Sequence, residues 1–365
     1  MVAVEVEAGE AEPAPAGGWA VPVLDLLGNA SARSAGIVSR TLPAIRAWTR
    51  HAPSVVRKWP AAETPEGRMA MIITIASGKG GTGKTTVAVN LALSLSNESP
   101  MYLDCDVEEP NGFLFLKPAI EARREVGQLI PEVDTEACTY CGRCAEVCAY
   151  HALAVVGKKV LVFPELCHGC GSCTLNCPTG AISERLDVLG VVEKGRAGPV
   201  QFGQGILNIG EAMAVPVIRQ LKEWAVPDVT DGRVIILDAS PGASCPVVES
   251  MRDADFVLLV TEPTPFGLHD LRVAVQVARG ELGKAVGVVI NRTGVGDDGV
   301  EAYCAAEDIP VLMRIPLDRR IAEAYSSGIP LVDALPQYRS EFRELYASIA
   351  ESLAQRSSTS QMEVV

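Results

Sequence analysis

Residues 72–86 read Ile72-Ile73-Thr74-Ile75-Ala76-Ser77-Gly78-Lys79-Gly80-Gly81-Thr82-Gly83-Lys84-Thr85-Thr86. The first five residues form an apolar run that is typical of a buried strand, and Val87, Leu91 and Leu95 follow at helical spacing. Strand, glycine loop and helix are the context in which backbone N–H groups enclose phosphates at the positive end of a helix. The stretch therefore predicts a nucleoside triphosphate site.

The loop motif assigns roles to individual side chains. Lys84 is expected to reach the β and γ phosphates, and Thr85 to ligate Mg²⁺. The predicted nucleotide-binding residues of the loop are Gly78, Gly80, Gly81, Thr82, Gly83, Lys84, Thr85 and Thr86. A complete motif in its strand and helix context is more specific than a glycine-rich turn alone, so we expect a Mg²⁺-dependent enzyme that hydrolyses a nucleoside triphosphate.

Two runs of four cysteines lie further along the chain. They are Cys138, Cys141, Cys144 and Cys148, followed by Cys167, Cys170, Cys173 and Cys177. Each run has the spacing C-x2-C-x2-C-x3-C of bacterial ferredoxins, in which the fourth cysteine ligates the other cluster. The runs superpose at an offset of 29 residues (138 to 167, 148 to 177), which indicates an internal duplication.

The pattern predicts two [4Fe–4S] clusters with crossed ligand sets. The expected sets are Cys138, Cys141, Cys144 with Cys177, and Cys167, Cys170, Cys173 with Cys148. Zinc is the first alternative, but zinc sites pair two C-x2-C knuckles and would leave a third cysteine of each run unused. Disulfides are the second, and they require an oxidising compartment that a cytosolic type of phosphate loop disfavours.

Lys79 indicates which class of phosphate loop the chain has. A second lysine early in the loop resembles the deviant Walker A signature of the MinD/ParA, Mrp and nitrogenase iron protein superfamily. The resemblance implies an ATPase that forms a homodimer around two ATP molecules, with Lys79 reaching the partner's nucleotide. Lys79 and Lys84 are thus both expected to be catalytic.

Other segments match this family in chain order. Asp104-Cys105-Asp106 with Asn111 resembles its first switch, in which Asp106 would position the attacking water or the magnesium shell. Asp238, at the end of the apolar run that begins at Val234, resembles Walker B. Asp106 and Asp238 are therefore expected to be catalytic and, with Thr85, to hold Mg²⁺. Ser240-Pro241-Gly242 resembles the second switch. The resemblance also implies adenine contacts by Asn291, Pro316 and Asp318, although an asparagine after a strand is commonly a turn residue.

Aliphatic strands and helical segments alternate from Met71 to about Leu353. This predicts an α/β P-loop fold with a mostly parallel sheet covered by helices on both faces. We expect the ATPase domain to comprise residues 69–130 and 185–355, and an α+β ferredoxin-like domain to be inserted at 131–184. The insertion follows Asp106, in a segment expected to move with the γ-phosphate, so cluster environment is expected to respond to nucleotide.

Three cysteines lie outside the two runs: Cys105, Cys245 and Cys304. A free cysteine is commonly a small buried apolar residue. Cys245 lies close to the second switch, where the nitrogenase iron protein holds a bridging cluster, but it has no evident second ligand. The C-x2-C expected late in Mrp-type carriers is also missing from the sequence.

Charge and hydropathy disfavour several kinds of partner. The net charge is −13 and the pI near 4.9, whereas binding to nucleic acid needs a basic surface. No stretch has the roughly 18 apolar residues of a membrane span. The polar segment 356–365, predicted as a flexible tail, lacks the basic amphipathic ending by which MinD proteins bind membranes. We expect a cytoplasmic protein without nucleic-acid or membrane partners.

Residues 1–68 do not fit the ATPase pattern. They are rich in Ala and Pro, and no acidic residue lies between Leu26 and Ala62. A targeting peptide is poor in acids, but the glutamates between residues 5 and 12 argue against one. The expectation is a disordered leader, or a start of translation at Met69 or Met71.

Three function classes remain open. The leading hypothesis is an ATPase that couples ATP hydrolysis to electron transfer, or to redox delivery to a partner metalloprotein. The second is an assembly factor or carrier for iron–sulfur clusters, of Mrp type. The third is a MinD/ParA-like regulatory ATPase whose clusters sense redox state.

Overall fold

The computed structural model describes residues 70–226 and 233–362. The predicted leader, residues 1–68, lies outside the described residues. All described residues belong to one compact unit.

Within these residues the strands and helices alternate over most of the chain. The strands are β1 (Met71–Ala76), β2 (Met101–Cys105), β3 (Ala119–Val133), β4 (Leu153–Val156), β5 (Lys159–Val162), β6 (Ile182–Ala197), β7 (Val200–Leu207), β8 (Val234–Ala239), β9 (Phe256–Thr261), β10 (Ala285–Thr293) and β11 (Val311–Pro316). The helices are α1 (Lys84–Ser94), α2 (Gly112–Leu116), α3 (Arg143–Glu146), α4 (Ser172–Leu175), α5 (Ala214–Ala225), α6 (Cys245–Met251), α7 (Pro265–Val275), α8 (Gly299–Ala306), α9 (Arg319–Ser326), α10 (Leu331–Ala334) and α11 (Tyr338–Met362). A π-helix, Gln276–Glu281, continues α7.

In the described part of the chain, nine strands form one sheet in the order β11-β10-β9-β1-β8-β2-β7-β6-β3. The pairings from β11 to β7 are parallel. Helices cover both faces: Ile73 and Ile75 of β1 face α1 and α11, whereas Ala76 faces the side of α6 and α7. The predicted α/β fold, with a large and mostly parallel sheet flanked by helices, is confirmed.

The longest helix, α11, covers one face of the sheet beside α1. Tyr338, Phe342, Leu345 and Ile349 recur every three or four residues, are buried, and belong to the same apolar cluster as β1 and α1. The helix continues to Met362, into the segment 356–365 that the sequence predicts as a tail.

Strands β3, β6 and β7 were not predicted from the sequence. β7 adds to β2 in parallel, and β6 and β3 then extend the edge as antiparallel strands. The first seven residues of β3 are exposed and rich in charge, so they lack the continuous apolar run that identifies the central strands. We call β3 and β6 together the ribbon.

The ribbon leads into the segment that carries the two cysteine runs. This segment contains α3, α4 and the hairpin β4–β5, and Ile130 and Ile182 of the ribbon pack into its small apolar cluster. Helices α3 and α4 begin and end 29 residues apart, at the same offset as the cysteine runs. The duplication in sequence is therefore also a duplication in local structure.

A buried lysine joins α5 to the end of α6. Lys222 is almost fully buried, donates a hydrogen bond of 2.7 Å to the carbonyl oxygen of Glu249, and forms an ion pair of 2.7 Å with Asp253. Removing one partner of a buried pair leaves the other charge without compensation, which costs about 3 kcal/mol.

We therefore predict that Lys222→Met lowers the free energy of unfolding by about 3 kcal/mol. Arg319→Met is the matched control, since Arg319 forms an exposed pair with Glu323 on one helix, and it should change that free energy by less than about 0.5 kcal/mol. Urea unfolding followed by circular dichroism measures both. Equal losses of unfolding free energy in the two variants would show that the buried ion pair of Lys222 does not stabilise the fold.

Candidate functional site

The phosphate loop lies between the end of β1 and the start of α1. Gly83 directly precedes the helix with φ 99°, in the left-handed region that favours glycine. A Cβ atom at this position would lie 2.4 Å from Nδ2 of Asn291. The loop therefore closes tightly against β10, which requires glycine at position 83.

Carbonyl oxygens of the loop are bound by neighbouring segments. Asn291 Nδ2 donates to the oxygen of Thr82 at 2.8 Å, Arg292 Nη2 to that of Gly81 at 3.2 Å, and the amide of Gly242 to that of Ser77 at 2.9 Å. A free carbonyl oxygen would repel phosphate, so these bonds favour an anion in the loop. They also connect the loop to the predicted second switch through Gly242.

Lys79 forms a charge cluster with two residues that were not predicted. Its ammonium pairs with Glu262 at 3.1 Å, and Arg292 binds the other carboxylate oxygen of Glu262. Glu262 is buried and directly follows β9, at the same edge of the sheet as the loop. An acidic residue directly after a buried strand was the only sequence signal for it.

Asp238 at the end of β8 is buried beneath the loop. Its Oδ2 accepts a hydrogen bond of 2.9 Å from the Tyr102 hydroxyl, and its Oδ1 has no hydrogen-bond partner among the described residues. Thr82 Oγ1 is buried without a partner as well. Unpaired buried oxygens are costly, and a carboxylate oxygen is a ligand that Mg²⁺ prefers, so the residues fit a magnesium site.

Asp104 shapes the predicted first switch, a role that sequence reasoning missed. Its carboxylate accepts hydrogen bonds from the backbone N–H groups of Asp106, Asn111 and Gly112, at 3.1, 3.0 and 2.9 Å. Asp104 and Asp238 are also directly paired in the register of β2 and β8. Asp104 therefore fixes the turn that carries Asp106, next to Asp238 on β8.

Burial shifts the protonation of all three carboxyl groups. It raises the pKa of Asp104 well above its ordinary value, and the neighbouring Asp238 adds to the rise. Burial also raises the pKa of Asp238, which Lys84 and then the hydroxyl groups of Thr85 and Tyr102 oppose, so the predicted Mg²⁺ ligand Thr85 lies beside this carboxyl group. Burial raises the pKa of Asp106 to about 6, against the effect of Lys84. A divalent cation would stabilise the charged forms of these groups.

The residues predicted to contact adenine lie along β10 and β11. The side-chain amide of Asn291 donates a hydrogen bond to the carbonyl oxygen of Thr82 in the loop. Pro316, at the end of β11, is exposed. Asp318 begins α9 and accepts hydrogen bonds from the backbone and guanidinium of Arg320, whose contact lowers the pKa of the carboxyl. The structure thus gives Asn291 and Asp318 structural partners, and their contact with adenine stays a prediction.

The cysteines surround two separate cavities of similar size. Cys148, Cys167, Cys170 and Cys173 line one of them, and Cys138, Cys141, Cys144 and Cys177 line the other. These are the two crossed groups expected from the ferredoxin pattern. All eleven cysteines of the chain are free thiols in the structure.

Backbone groups point at several of these sulfur atoms. The N–H of Ala152 lies 3.2 Å from Sγ of Cys148, and that of Tyr140 lies 3.4 Å from Sγ of Cys138. Burial raises the pKa of Cys144, whereas hydrogen bonds from the Thr179 region outweigh slight burial and lower the pKa of Cys177. Such N–H···S contacts are typical of sulfur atoms that ligate iron–sulfur clusters.

No group of three or more His, Cys, Asp or Glu side chains in residues 70–226 and 233–362 is arranged to hold a metal ion. A zinc ion would hold four sulfur atoms within about 2.3 Å of one centre. Neither cysteine set has that arrangement in the structure.

The other three thiols lie outside these cavities. Burial raises the pKa of Cys105 to about 12 and that of Cys304 to about 11, so both stay protonated at neutral pH. Cys245 begins α6 and is half-buried.

Comparison with known proteins decides the family. The family model described as the CobQ/CobB/MinD/ParA nucleotide binding domain matches residues 73–331. The chain belongs to this family. It is a MinD/ParA-type ATPase, and its relatives include a protein of Methanocaldococcus jannaschii described as ATP-binding.

Several relatives come from the same archaeon. An uncharacterized protein of M. jannaschii is 32% identical over 265 residues, which cover 71% of this chain and 90% of that protein. The iron-sulfur cluster carrier protein of M. jannaschii is 23% identical over 311 residues, covering 77% and 84%. Among solved structures, the septum site-determining protein MinD from Pyrococcus horikoshii with Mg-ADP is 20% identical, with a TM-score of 0.47, covering 77% and 96%.

A search of the described helices for a membrane span found none of sufficient length and apolar character.

The pKa of Asp106 gives a prediction for the ATPase. If the ionised carboxylate is needed, kcat/KM falls as the pH drops through about 6, because the carboxyl group then takes up a proton. Asp106→Asn should remove this acid limb and lower kcat by at least about a hundredfold. The measurement is ATPase activity at fixed ionic strength between about pH 5 and pH 8.

Glu108→Gln is the matched control for that experiment. Glu108 is exposed in the same loop and its charge raises the pKa of Asp106, so its removal should move the acid limb slightly to lower pH. An acid limb that persists unchanged in Asp106→Asn would show that another group titrates.

Proposed function

We propose that this ATPase couples ATP binding and hydrolysis to electron transfer or redox delivery through two [4Fe–4S] clusters. One observation supports the proposal. The ribbon is part of the sheet whose strand β1 leads into the phosphate loop, and it also lines both cysteine cavities. Leu129, Pro131 and Glu184 line the cavity of Cys148, and Val133 and Ile182 line the cavity of Cys177. A change at the nucleotide can therefore reach both clusters through one element.

The eight cysteines would hold the clusters in the crossed sets that the cavities contain. Bound clusters would supply one-electron chemistry, at potentials set by hydrogen bonds to sulfur and by solvent exposure. Cys141 and Cys170 are exposed, whereas Cys144 and Cys173 are buried. Each set thus has one thiol at the surface, where electrons can reach a partner. In this proposal residues 131–184 form the ferredoxin-like domain, inserted between 69–130 and 185–355.

The ribbon connects to the first switch along the chain. Helix α2 begins at Gly112, directly after the turn that Asp104 holds, and β3 begins three residues after α2 ends. The ladder of β3 and β6 then runs from Ala119 paired with Arg196 to Val133 paired with Ile182. The ladder has register shifts between Ile120 and Ala122 and between Val126 and Gly127. In this proposal displacement of the first switch is transmitted along the ladder to its cavity end.

Helix α5 gives a second connection, from the region of the second switch. Arg219 of α5 pairs with Glu249 of α6 at 3.3 Å, and α6 follows the segment 240–242 closely. On the other side, Gln220 Nε2 donates a hydrogen bond of 2.6 Å to the carbonyl oxygen of Gly127 in β3. Both switch regions are therefore connected to the ribbon, the first along the chain through α2 and the second through α6 and α5.

The proposed active form is a homodimer that meets at the nucleotide face. In the family resemblance, the lysine that matches Lys79 reaches the partner's nucleotide. Here Lys79 is partly exposed and paired with the buried Glu262, which also pairs with Arg292. Glu262 would therefore keep one cationic partner when Lys79 is released on dimerisation. Adenine contacts by Asn291, Pro316 and Asp318 belong to this proposed state.

The surfaces around the two cavities differ in a way that supports a redox partner. Leu166 and Leu175 are exposed beside the second cysteine run, and Leu175 is 86% exposed. At the equivalent positions, 29 residues earlier, the first run has Ala137 and Glu146. The repeat fold therefore does not require leucine there, and exposed leucines beside Cys170 suit contact with another metalloprotein.

Cluster delivery is the second candidate function. It is favoured by the relatives described as iron-sulfur cluster carrier proteins, which are 23% to 25% identical to this chain. The eight ligands are all supplied within one chain, which favours clusters that stay bound. Electron transfer is therefore our first proposal and cluster delivery the second.

One experiment separates the two functions. Anaerobically purified protein, containing about eight iron and eight sulfide per chain, is mixed with ATP and either an oxidised viologen or an apo-ferredoxin. For the viologen assay the protein is first reduced with dithionite and desalted. If it transfers electrons, it reduces the viologen only when ATP is present and retains its iron and sulfide. Cluster delivery predicts that iron and sulfide move to the apo-ferredoxin.

Two lysine variants serve as controls. Lys84→Ala should abolish the dependence on ATP, and Lys158→Ala, an exposed lysine in the hairpin of the cysteine segment, should leave it unchanged. If neither viologen reduction nor cluster loss depends on ATP, the proposed coupling is wrong. Zinc in place of iron and sulfide would contradict both functions.

A further inference from the structure

Tyr102 is a polar side chain bound to Asp238 that the family resemblance does not assign. It lies in β2, is fully buried, and is among the largest fully buried side chains in the described residues. Its hydroxyl donates to Oδ2 of Asp238 at 2.9 Å, and its ring stacks on Phe202 of β7 at a centroid distance of 5.9 Å. Packing thus holds the ring in place, and the hydroxyl donates its hydrogen bond to the carboxylate of Asp238.

The hydrogen bond leaves one oxygen of Asp238 for another ligand. Oδ1 is buried and has no partner among the described residues, whereas Oδ2 is bound by Tyr102. A carboxylate held by one oxygen has a fixed orientation, so its second oxygen points in a defined direction. Groups that orient metal ligands in this way commonly change metal affinity by about ten to a hundredfold when removed.

The hydroxyl also contacts the first switch. A Cβ atom built on Gly112 would lie 2.2 Å from the Tyr102 hydroxyl oxygen, so only glycine allows this approach. The amide of Gly112 donates to Asp104, which holds the turn of the switch. Tyr102 therefore contacts the end of the first switch on one side and the Walker B carboxylate on the other.

We propose that Tyr102 is a positioning residue for Mg²⁺: it orients Asp238 and transmits the position of the first switch to the metal site. Removal of its hydroxyl leaves Oδ2 of Asp238 buried without its donor, so the carboxylate loses the contact that fixes its orientation toward Mg²⁺. The inference concerns metal binding and holds whether or not the clusters transfer electrons.

The test is Tyr102→Phe, which keeps the ring and loses the hydroxyl. Isothermal titration of Mg²⁺ into the protein with ADP should show an affinity lowered by about tenfold. Binding of Mn²⁺, followed by the EPR signal of the free ion, gives a second readout that needs no catalysis.

Phe202→Leu is the matched control, because it removes the stacking partner and keeps the hydroxyl. It should lower the Tm while leaving Mg²⁺ affinity within about twofold. Gly112→Ala is a second test, since its methyl group would push the hydroxyl away from Asp238; it should lower Mg²⁺ affinity even if Tyr102→Phe folds poorly.

Unchanged Mg²⁺ affinity in Tyr102→Phe would overturn the proposal. Equal losses of affinity in Tyr102→Phe and Phe202→Leu would also overturn it, because packing alone would then explain the effect. If the ATP-coupled redox reaction is absent while Tyr102→Phe still weakens Mg²⁺ binding, the metal inference stands and the proposed function fails.

Discussion

The pairing of β3 with β6 is the interaction on which the arrangement of the two candidate sites depends. The two strands extend a sheet whose centre carries the phosphate loop, and their far ends line the cysteine cavities. Because the ladder extends from Ala119 to Val133, the cysteine segment is attached by two paired strands. That attachment limits independent motion of the segment relative to the sheet and is the physical basis for proposing that nucleotide state affects the clusters.

At the nucleotide site, several buried charges are held close together. Asp104 and Asp238 are neighbours on adjacent strands, and Lys84 lowers the pKa of Asp238 against the effect of burial. The three carboxylates have different surroundings, since Asp104 binds backbone amides, Asp238 keeps one oxygen without a protein partner, and Asp106 lies half-buried in the turn. Such an arrangement costs stability unless a cation is bound, which is consistent with a site built for a metal–nucleotide complex.

Local motifs were sufficient to predict the parallel part of the fold and the location of the loop. The strand before Gly78, the helix after Gly83 and the strand ending in Asp238 all have apolar patterns that depend on burial by the sheet. The two cysteine groups were also predictable, because the duplicated spacing defines which residues share a cavity.

The features that were missed depend on distant partners. β3 and β6 are charged over much of their exposed length, and their pairing is set by long-range register. Glu262 and Tyr102 have polar roles only because the fold brings them to Lys79 and Asp238, 183 and 136 residues away in sequence. A single sequence carries no local signal for such contacts.

Coupling between the two sites can be measured by a redox titration of the clusters, followed by EPR, in the presence of ADP or of a nonhydrolysable ATP analogue. If the ribbon transmits nucleotide state, the midpoint potential or the EPR line shape of at least one cluster differs between the two nucleotides. Identical potentials and spectra with both nucleotides, in protein that binds each of them, would contradict the coupling.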